Sequence, residues 1–230
     1  MKQIFEKLKN GLIVSCQAEG SSPFNSPEGV AMFAKAAQDG GAAAIRSEGI
    51  EKSKKIIESV SLPIVGLVKS YFEDGSVRIT GSQKDYEDLL NIGCSIIAVD
   101  GTFRKRELLS GPDFIYSIKS KYDCIIMADI ATVEEGIASA QAGADCVSTT
   151  LSGYTPETKK KNNYQPDFEL VKQLSQKLQV PIFAEGRINT PELAVKIINY
   201  GAWGVVVGSA ITRPSLITEW FCSAISSGIK

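Results

Sequence analysis

Four copies of one glycine-led pattern run along this chain: Gly41-Ala-Ala-Ala-Ile-Arg46, Gly93-Cys-Ser-Ile-Ile-Ala-Val-Asp100, Gly143-Ala-Asp-Cys-Val-Ser-Thr149 and Gly201-Ala-Trp-Gly-Val-Val-Val-Gly208. Their leading glycines are 52, 50 and 58 residues apart. Four further apolar runs alternate with them: Gly11 to Gln17, Pro63 to Lys69, Cys124 to Asp129 and Pro181 to Glu185. Between most neighbours lies a stretch of helical period with a start signal, as in Ser26-Pro27-Glu28, Thr132-Val-Glu-Glu135 and Thr190-Pro191-Glu192. Each joins an N-cap hydroxyl to a proline at N1 or a glutamate in the first turn. The glycine that follows ends the helix and turns the chain into the next strand. Eight strand-helix units of this kind predict one (β/α)₈ barrel over residues 1–230, preceded by a short N-terminal helix. The near-continuous apolar strands suit a parallel sheet covered on both faces. A doubly wound open sheet is the alternative, although it usually has fewer strands.

A chain of 230 residues with 43% hydrophobic residues is long enough for one large core. Its 25 basic and 26 acidic residues nearly cancel, and no basic stripe interleaved with aromatics tracks a phosphate backbone, so nucleic acid is not an expected partner. The lysine run Lys159 to Lys161 lies in a polar segment and reads as a solvated loop or a lid. Five cysteines without C-x-x-C spacing suggest free thiols in a reducing compartment. The N-terminus lacks a continuous apolar signal region, and no apolar run approaches the ~18 residues needed to cross a bilayer. The expectation is a cytoplasmic protein with no membrane partner.

Barrels of this type place their chemistry at the C-terminal ends of the strands. The polar residues expected there are Gln17, Arg46, Lys69, Asp100, Asp129, Thr149 with Thr150, Glu185, and Gly208 with Ser209. The chain contains no histidine, so proton transfer near neutral pH falls to groups such as Lys69 and Glu185. Strands three and seven are four apart in a ring of eight, which sets these two on opposite sides of the barrel axis. Removing a proton from one face of a carbon and returning one to the other needs that disposition. A free lysine is neutral in only about one molecule in 2,500 at pH 7. Burial, or a like charge such as Arg46, has to release its proton. Arg46 pairing with Glu48 on the rim is the plainer reading of that arginine. Gly208-Ser209 leads from the last strand toward a helix, and with Gly186 and the forked cation of Arg213 it forms a candidate phosphate cradle. Asp100, Asp129 and Glu185 are interrupted by Lys69 and Arg46, so neither a metal nor a cofactor is expected.

Several motifs together carry a resemblance: Ser15-Cys-Gln17-Ala, Ala44-Ile-Arg46, Gly66-Leu-Val-Lys69, Ala128-Asp129-Ile, Thr149-Thr-Leu-Ser-Gly-Tyr154-Thr, Ala184-Glu185-Gly-Arg187 and Gly208-Ser-Ala-Ile-Thr-Arg213-Pro. Across residues 11 to 220 the chain closely resembles N-acetylmannosamine-6-phosphate 2-epimerases. The resemblance implies a (β/α)₈ barrel that interconverts N-acyl-D-mannosamine and N-acyl-D-glucosamine 6-phosphates in bacterial sialic acid breakdown. It implies Lys69 as general base and Glu185 as general acid. It implies Gln17, Arg46, Asp129 and Thr149 as contacts of the open-chain amino sugar, and Gly186, Arg187, Gly208, Ser209 and Arg213 as contacts of its phosphate. A one-base mechanism, with Glu185 acting as electrophile or in ring opening, stays open beside the two-base one. The segment 153–165 looks like a loop that closes over the sugar. Rival readings are a Schiff-base aldolase and a non-catalytic sugar-phosphate-binding protein. Apolar residues around Trp220 and Phe221 suggest a homodimer.

Overall fold

The alternation of apolar strand and capped helix closes into a ring. The structure, a computed structural model, describes residues 2–72, 76–106, 108–159 and 164–228. Eight strands form a closed barrel: β1 (Leu12–Ser15), β2 (Ala44–Glu48), β3 (Ile64–Leu67), β6 (Ile96–Asp100), β7 (Ile126–Asp129), β8 (Cys146–Ser148), β9 (Ile182–Glu185) and β10 (Gly204–Val207). Two more, β4 (Lys69–Tyr71) and β5 (Val77–Ile79), make an antiparallel hairpin outside the ring. All neighbours in the ring pair in parallel, and β1 closes it by pairing with both β2 and β10. β3 and β9 stand four places apart in the ring, as the repeat predicts for the third and seventh barrel strands.

Three helices begin at the expected caps. Ser26 Oγ accepts from Gly29 N at the start of α2 (Pro27–Asp39), and Thr190 Oγ1 accepts from Leu193 N at α8 (Pro191–Asn199). Thr132 and Glu135 form a reciprocal capping box at α6 (Val133–Gln141). The repeat glycines explain themselves in the backbone: Gly41, Gly93, Gly143 and Gly201 all have positive φ, from 86° to 107°, a region that side-chain-bearing residues enter only with strain. The helix bridging β3 and β6, α4 (Gln83–Asn91), follows the hairpin.

Strand parity sorts the residues into two cores. One parity of each strand, with side chains such as Val14, Ile64, Ala128 and Val147, packs outward against the helices. Their alternate partners fill the barrel interior: Ile13, Ala44, Val65, Ile96, Met127, Cys146, Phe183 and Val206, one from each strand. The N-terminal helix α1 (Lys2–Leu8) adds Phe5 and Leu8 to that interior cluster, and Trp203 Nε1 donates to the Phe5 carbonyl at 2.8 Å. Two residues further along each strand, on the same inward parity, stand Ser15, Arg46, Leu67, Ala98, Asp129, Ser148, Glu185 and Gly208. A period-two pattern that is apolar at the bottom of the barrel therefore brings in Ser15, Arg46, Asp129, Ser148 and Glu185 at the top.

Cys16, Cys94, Cys124 and Cys146 are free and buried, Cys222 free and exposed. Burial pushes the Cys16 and Cys94 thiols up to about 12, so they are packing groups rather than nucleophiles. No helix among the described residues is long and apolar enough to cross a membrane. The chain ends in α9 (Ser209–Thr212) and α10 (Pro214–Gly228), and α10 has no buried residue. Trp220, Phe221 and Ile225 on it are 37%, 67% and 60% exposed.

Candidate active site

A cavity of about 780 Å³ opens at the C-terminal end of the barrel. Of the predicted site residues, Gln17, Arg46, Lys69, Glu185, Gly186, Arg187, Gly208, Ser209 and Arg213 line it. Asp129 and Thr149 do not. Asp129 is fully buried behind Arg46, and its place is to orient that guanidinium. Thr149 has the wrong parity: its hydroxyl accepts from Glu185 N and donates to Glu185 O, both at 3.1 Å, so it is spent on the wall between β8 and β9. Thr150, one residue on, faces the cavity instead. Asp100 is also withdrawn, held by Thr102, Arg104 and Arg106 below the loop after β6.

Arg46 is the hub of the inner site. Its Nη2 lies 2.5 Å from Asp129 Oδ2, its Nη1 3.3 Å from Asp129 Oδ1, and its Nε 3.4 Å from Glu185 Oε2. The rim pairing with Glu48 does not occur; Glu48 pairs with Lys52 at 3.6 Å. Burial raises the Asp129 and Glu185 carboxyls above their ordinary range, and Arg46 pulls both back only in part. A carboxyl that holds its proton toward neutrality is a competent proton donor.

Lys69 sits at the opposite wall, as the first residue of β4 rather than the last of β3. Thr80 fixes it there. Thr80 N donates to Val68 O at 2.6 Å and Val68 N donates to Thr80 Oγ1 at 3.2 Å, which clamps the backbone just before Lys69. Thr80 adopts φ +51°, an outlier for a β-branched residue, and the fold holds that strain directly beside the lysine. The expected like-charge neighbour of Lys69, Arg46, is engaged elsewhere. The Lys69 ammonium instead meets Glu19 Oε1, an acidic residue that motif reading passed over. Glu19 also lies 3.9 Å from Arg213 Nη2. Burial works against its charge, yet Lys69, Arg213 and Lys52 together hold its carboxyl below the usual range. Its signal in the sequence is its place two residues after Gln17, beyond the end of β1.

The end of the cavity where the sequence places a phosphate cradle lies between β9 and β10. Gly186 has φ +103° with open space where a Cβ would stand, and Arg187 follows at φ +59°. Gly208 caps α9, whose first N–H groups have no partner within the helix, and Ser209 opens it. Arg213 is half-exposed at the rim. Arg187 leans away from the anion end: Nε donates to Gln165 O at 2.9 Å and Nη1 to Ser152 O at 3.0 Å, tying down the loop after β8. From that loop Tyr154, Pro156 and Lys159 line the cavity. Lys160 and Lys161, the rest of the lysine run, lie outside the described residues. Among the described residues no group of three His, Cys, Asp or Glu side chains converges as a metal site requires.

Known proteins resemble this chain over nearly its whole length. The family model described as "NanE: Putative N-acetylmannosamine-6-phosphate epimerase" matches residues 30–227. A "Putative N-acetylmannosamine-6-phosphate 2-epimerase" of Caldanaerobacter subterraneus subsp. tengcongensis is 47% identical over 225 residues, 96% of this chain and 94% of that protein. A protein of the same name from Clostridioides difficile is 43% identical, covering 96% of this chain and 99% of its own length. Among solved structures, the N-acetylmannosamine-6-phosphate 2-epimerase from Clostridium perfringens superposes with a TM-score of 0.90 at 43% identity, covering 96% of this chain and 95% of that one. The chain belongs to the N-acetylmannosamine-6-phosphate epimerase family.

Proposed function

We propose that this protein is a cofactor-independent 2-epimerase, one catalytic domain that interconverts N-acyl-D-mannosamine 6-phosphate and N-acyl-D-glucosamine 6-phosphate. The observation that carries the reading is the disposition of two proton-transfer groups, Lys69 and Glu185, on walls four strands apart around one cavity that also holds an anion-binding end. In the open-chain sugar the C2 proton is α to the C1 aldehyde. Lys69 removes it from one face, the C1 oxygen takes up negative charge, and Glu185 delivers a proton to the other face. Arg46 faces the reacting end with a fixed guanidinium and stabilises the developing charge. Gln17 orients the sugar. The backbone at Gly186, Gly208 and Ser209, with Arg213, holds the phosphate, and Arg187 supports that end through the loop it ties down.

The aldolase rival needs a lysine that forms a covalent imine, and the pure binding protein needs no opposed acid and base. The deciding experiment incubates the purified protein with N-acetylmannosamine 6-phosphate and follows the anomeric protons by NMR. Appearance of the gluco epimer supports the reading; cleavage products or an unchanged substrate contradict it.

The assembly we favour is a homodimer of cytoplasmic protein. A fifteen-residue helix with Trp220, Phe221 and Ile225 uncovered is a surface for a second copy of the chain. Sedimentation of the intact chain at dimer mass, and of a chain ending before Pro214 at monomer mass, is the expected result. Four buried free thiols suit a reducing compartment.

A further inference from the structure

Thr150 stands where the Glu185 and Asp129 carboxyls meet. Its Oγ1 lies 2.8 Å from Asp129 Oδ1, 2.9 Å from Glu185 Oε2 and 2.9 Å from Ser148 Oγ. A hydroxyl owns one proton and two acceptor positions. It can donate to only one of the two carboxyls. Were both ionised, the other would face a lone pair at hydrogen-bond distance with no proton between the oxygens. All three contacts become hydrogen bonds together when one carboxyl is protonated. Ser148 then donates to Thr150, Thr150 donates to the carboxylate, and the protonated carboxyl donates to the remaining acceptor position.

Charge counting reaches the same answer independently. Arg46 is the cation in contact with both acids, so two ionised carboxylates would leave an excess negative charge in the barrel, and one proton removes it. Arg46 also decides where that proton sits. It grips Asp129 through two nitrogens, at 2.5 and 3.3 Å, but meets Glu185 only through Nε at 3.4 Å. Asp129 is therefore the ionised partner and Glu185 the protonated one. The charged groups around the pair are Arg46 on β2, Lys69 on β4 and Asp100 on β6, with the Cys146 thiol on β8. Burial raises both carboxyls, consistent with one retained proton.

We propose that Thr150 is the positioning residue of Glu185: its hydroxyl keeps one proton on Glu185 in the substrate-free enzyme and swings its O–H from Asp129 to Glu185 as that proton leaves. In the direction in which Lys69 takes the C2 proton, the Glu185 O–H bond breaks as the new C2–H bond forms. Thr150 transfers nothing; it rotates, and Asp129 keeps its two bonds from Arg46. The cycle leaves Lys69 protonated and Glu185 ionised, and exchange with solvent resets both.

This inference rests on the 2-epimerase reading, and wild-type turnover of N-acetylmannosamine 6-phosphate in the same assay separates the two. No turnover by the wild type refutes that reading; turnover with an unaffected Thr150→Val refutes only the role of Thr150. The test compares kcat, KM and the pH profile of wild type, Thr150→Val and Thr150→Ser. Thr150→Val keeps the shape and removes the hydroxyl. It is expected to lower kcat at least ~10-fold with KM changed less than ~3-fold. The alkaline limb should move down by at least about half a pH unit, because Glu185 loses the acceptor that holds its proton. Thr150→Ser should recover most of both effects. An unchanged profile in Thr150→Val, or a Thr150→Ser as impaired as Thr150→Val, overturns the proposal. Should the valine variant not fold, infrared difference spectra of wild type against Glu185→Gln at neutral pH decide it. A protonated-carboxyl stretch belonging to Glu185 is expected, and an ionised carboxylate band in its place overturns it.

Discussion

Arg46 and Asp129 meet inside the barrel through two nitrogen-oxygen contacts, at 2.5 and 3.3 Å, with side chains only 1% and 0% exposed. Neither residue can turn without leaving a buried charge alone. The pair therefore fixes the direction of the third guanidinium nitrogen, Nε, which faces Glu185. Removing the acid by Asp129→Ala should cost about 3–5 kcal/mol of stability, the scale for breaking one side of a buried ion pair. Urea unfolding measures it. A loss within the ordinary ±0.5 kcal/mol of surface changes contradicts the assignment.

Lys69→Ala should lose at least ~10² in kcat, the low end of acid-base effects. The lysine is 23% exposed at the rim, so the melting temperature should stay near that of the wild type. Near-normal turnover sinks Lys69 as the base.

Arg213→Ala should mainly raise KM. Its guanidinium lies at the rim beside Glu19, and a phosphate contact contributes similarly in ground and transition states. A fall in kcat with KM unchanged would place Arg213 in the chemical step instead.

Stability should depend on pH through Glu185 and Asp129. Both carboxyls are raised by burial, so the folded chain holds a proton that the unfolded chain releases near the ordinary values of 4.5 and 3.8. The stability this contributes is fully present below those values and is lost as pH rises through the raised folded value. The melting temperature of the wild type should therefore fall over that rise more steeply than that of Glu185→Gln. Identical pH dependence in the two proteins contradicts the raised carboxyl.

The glycine repeat made the barrel legible because each copy encodes a helix stop and a left-handed turn, and Gly41, Gly93, Gly143 and Gly201 all take that backbone. Arg46, Lys69 and Glu185 were legible because barrel topology fixes which strand ends share a mouth. The choice between Thr149 and Thr150 was open to a closer reading. Cys146, Ser148 and Thr150 share one parity, so the inward residue is Thr150, and Thr149 must face the wall. The β4–β5 hairpin interrupts the repeat with an extra antiparallel pair, and strand period alone does not separate Lys69 at the end of β3 from Lys69 at the start of β4. Its one sequence mark, Asp74-Gly75, lies outside the described residues. Glu19 was hidden for a different reason: its partners, Lys69 and Arg213, are remote in sequence and meet it only once the barrel closes.

Proton transfer at C2 is read from turnover of N-acetylmannosamine 6-phosphate in deuterium oxide. Deuterium at C2 of the gluco product and no adduct on Lys69 after borohydride treatment are the expected results. Epimer formed with protium retained wholly at C2, or a reduced covalent adduct on Lys69, would contradict it.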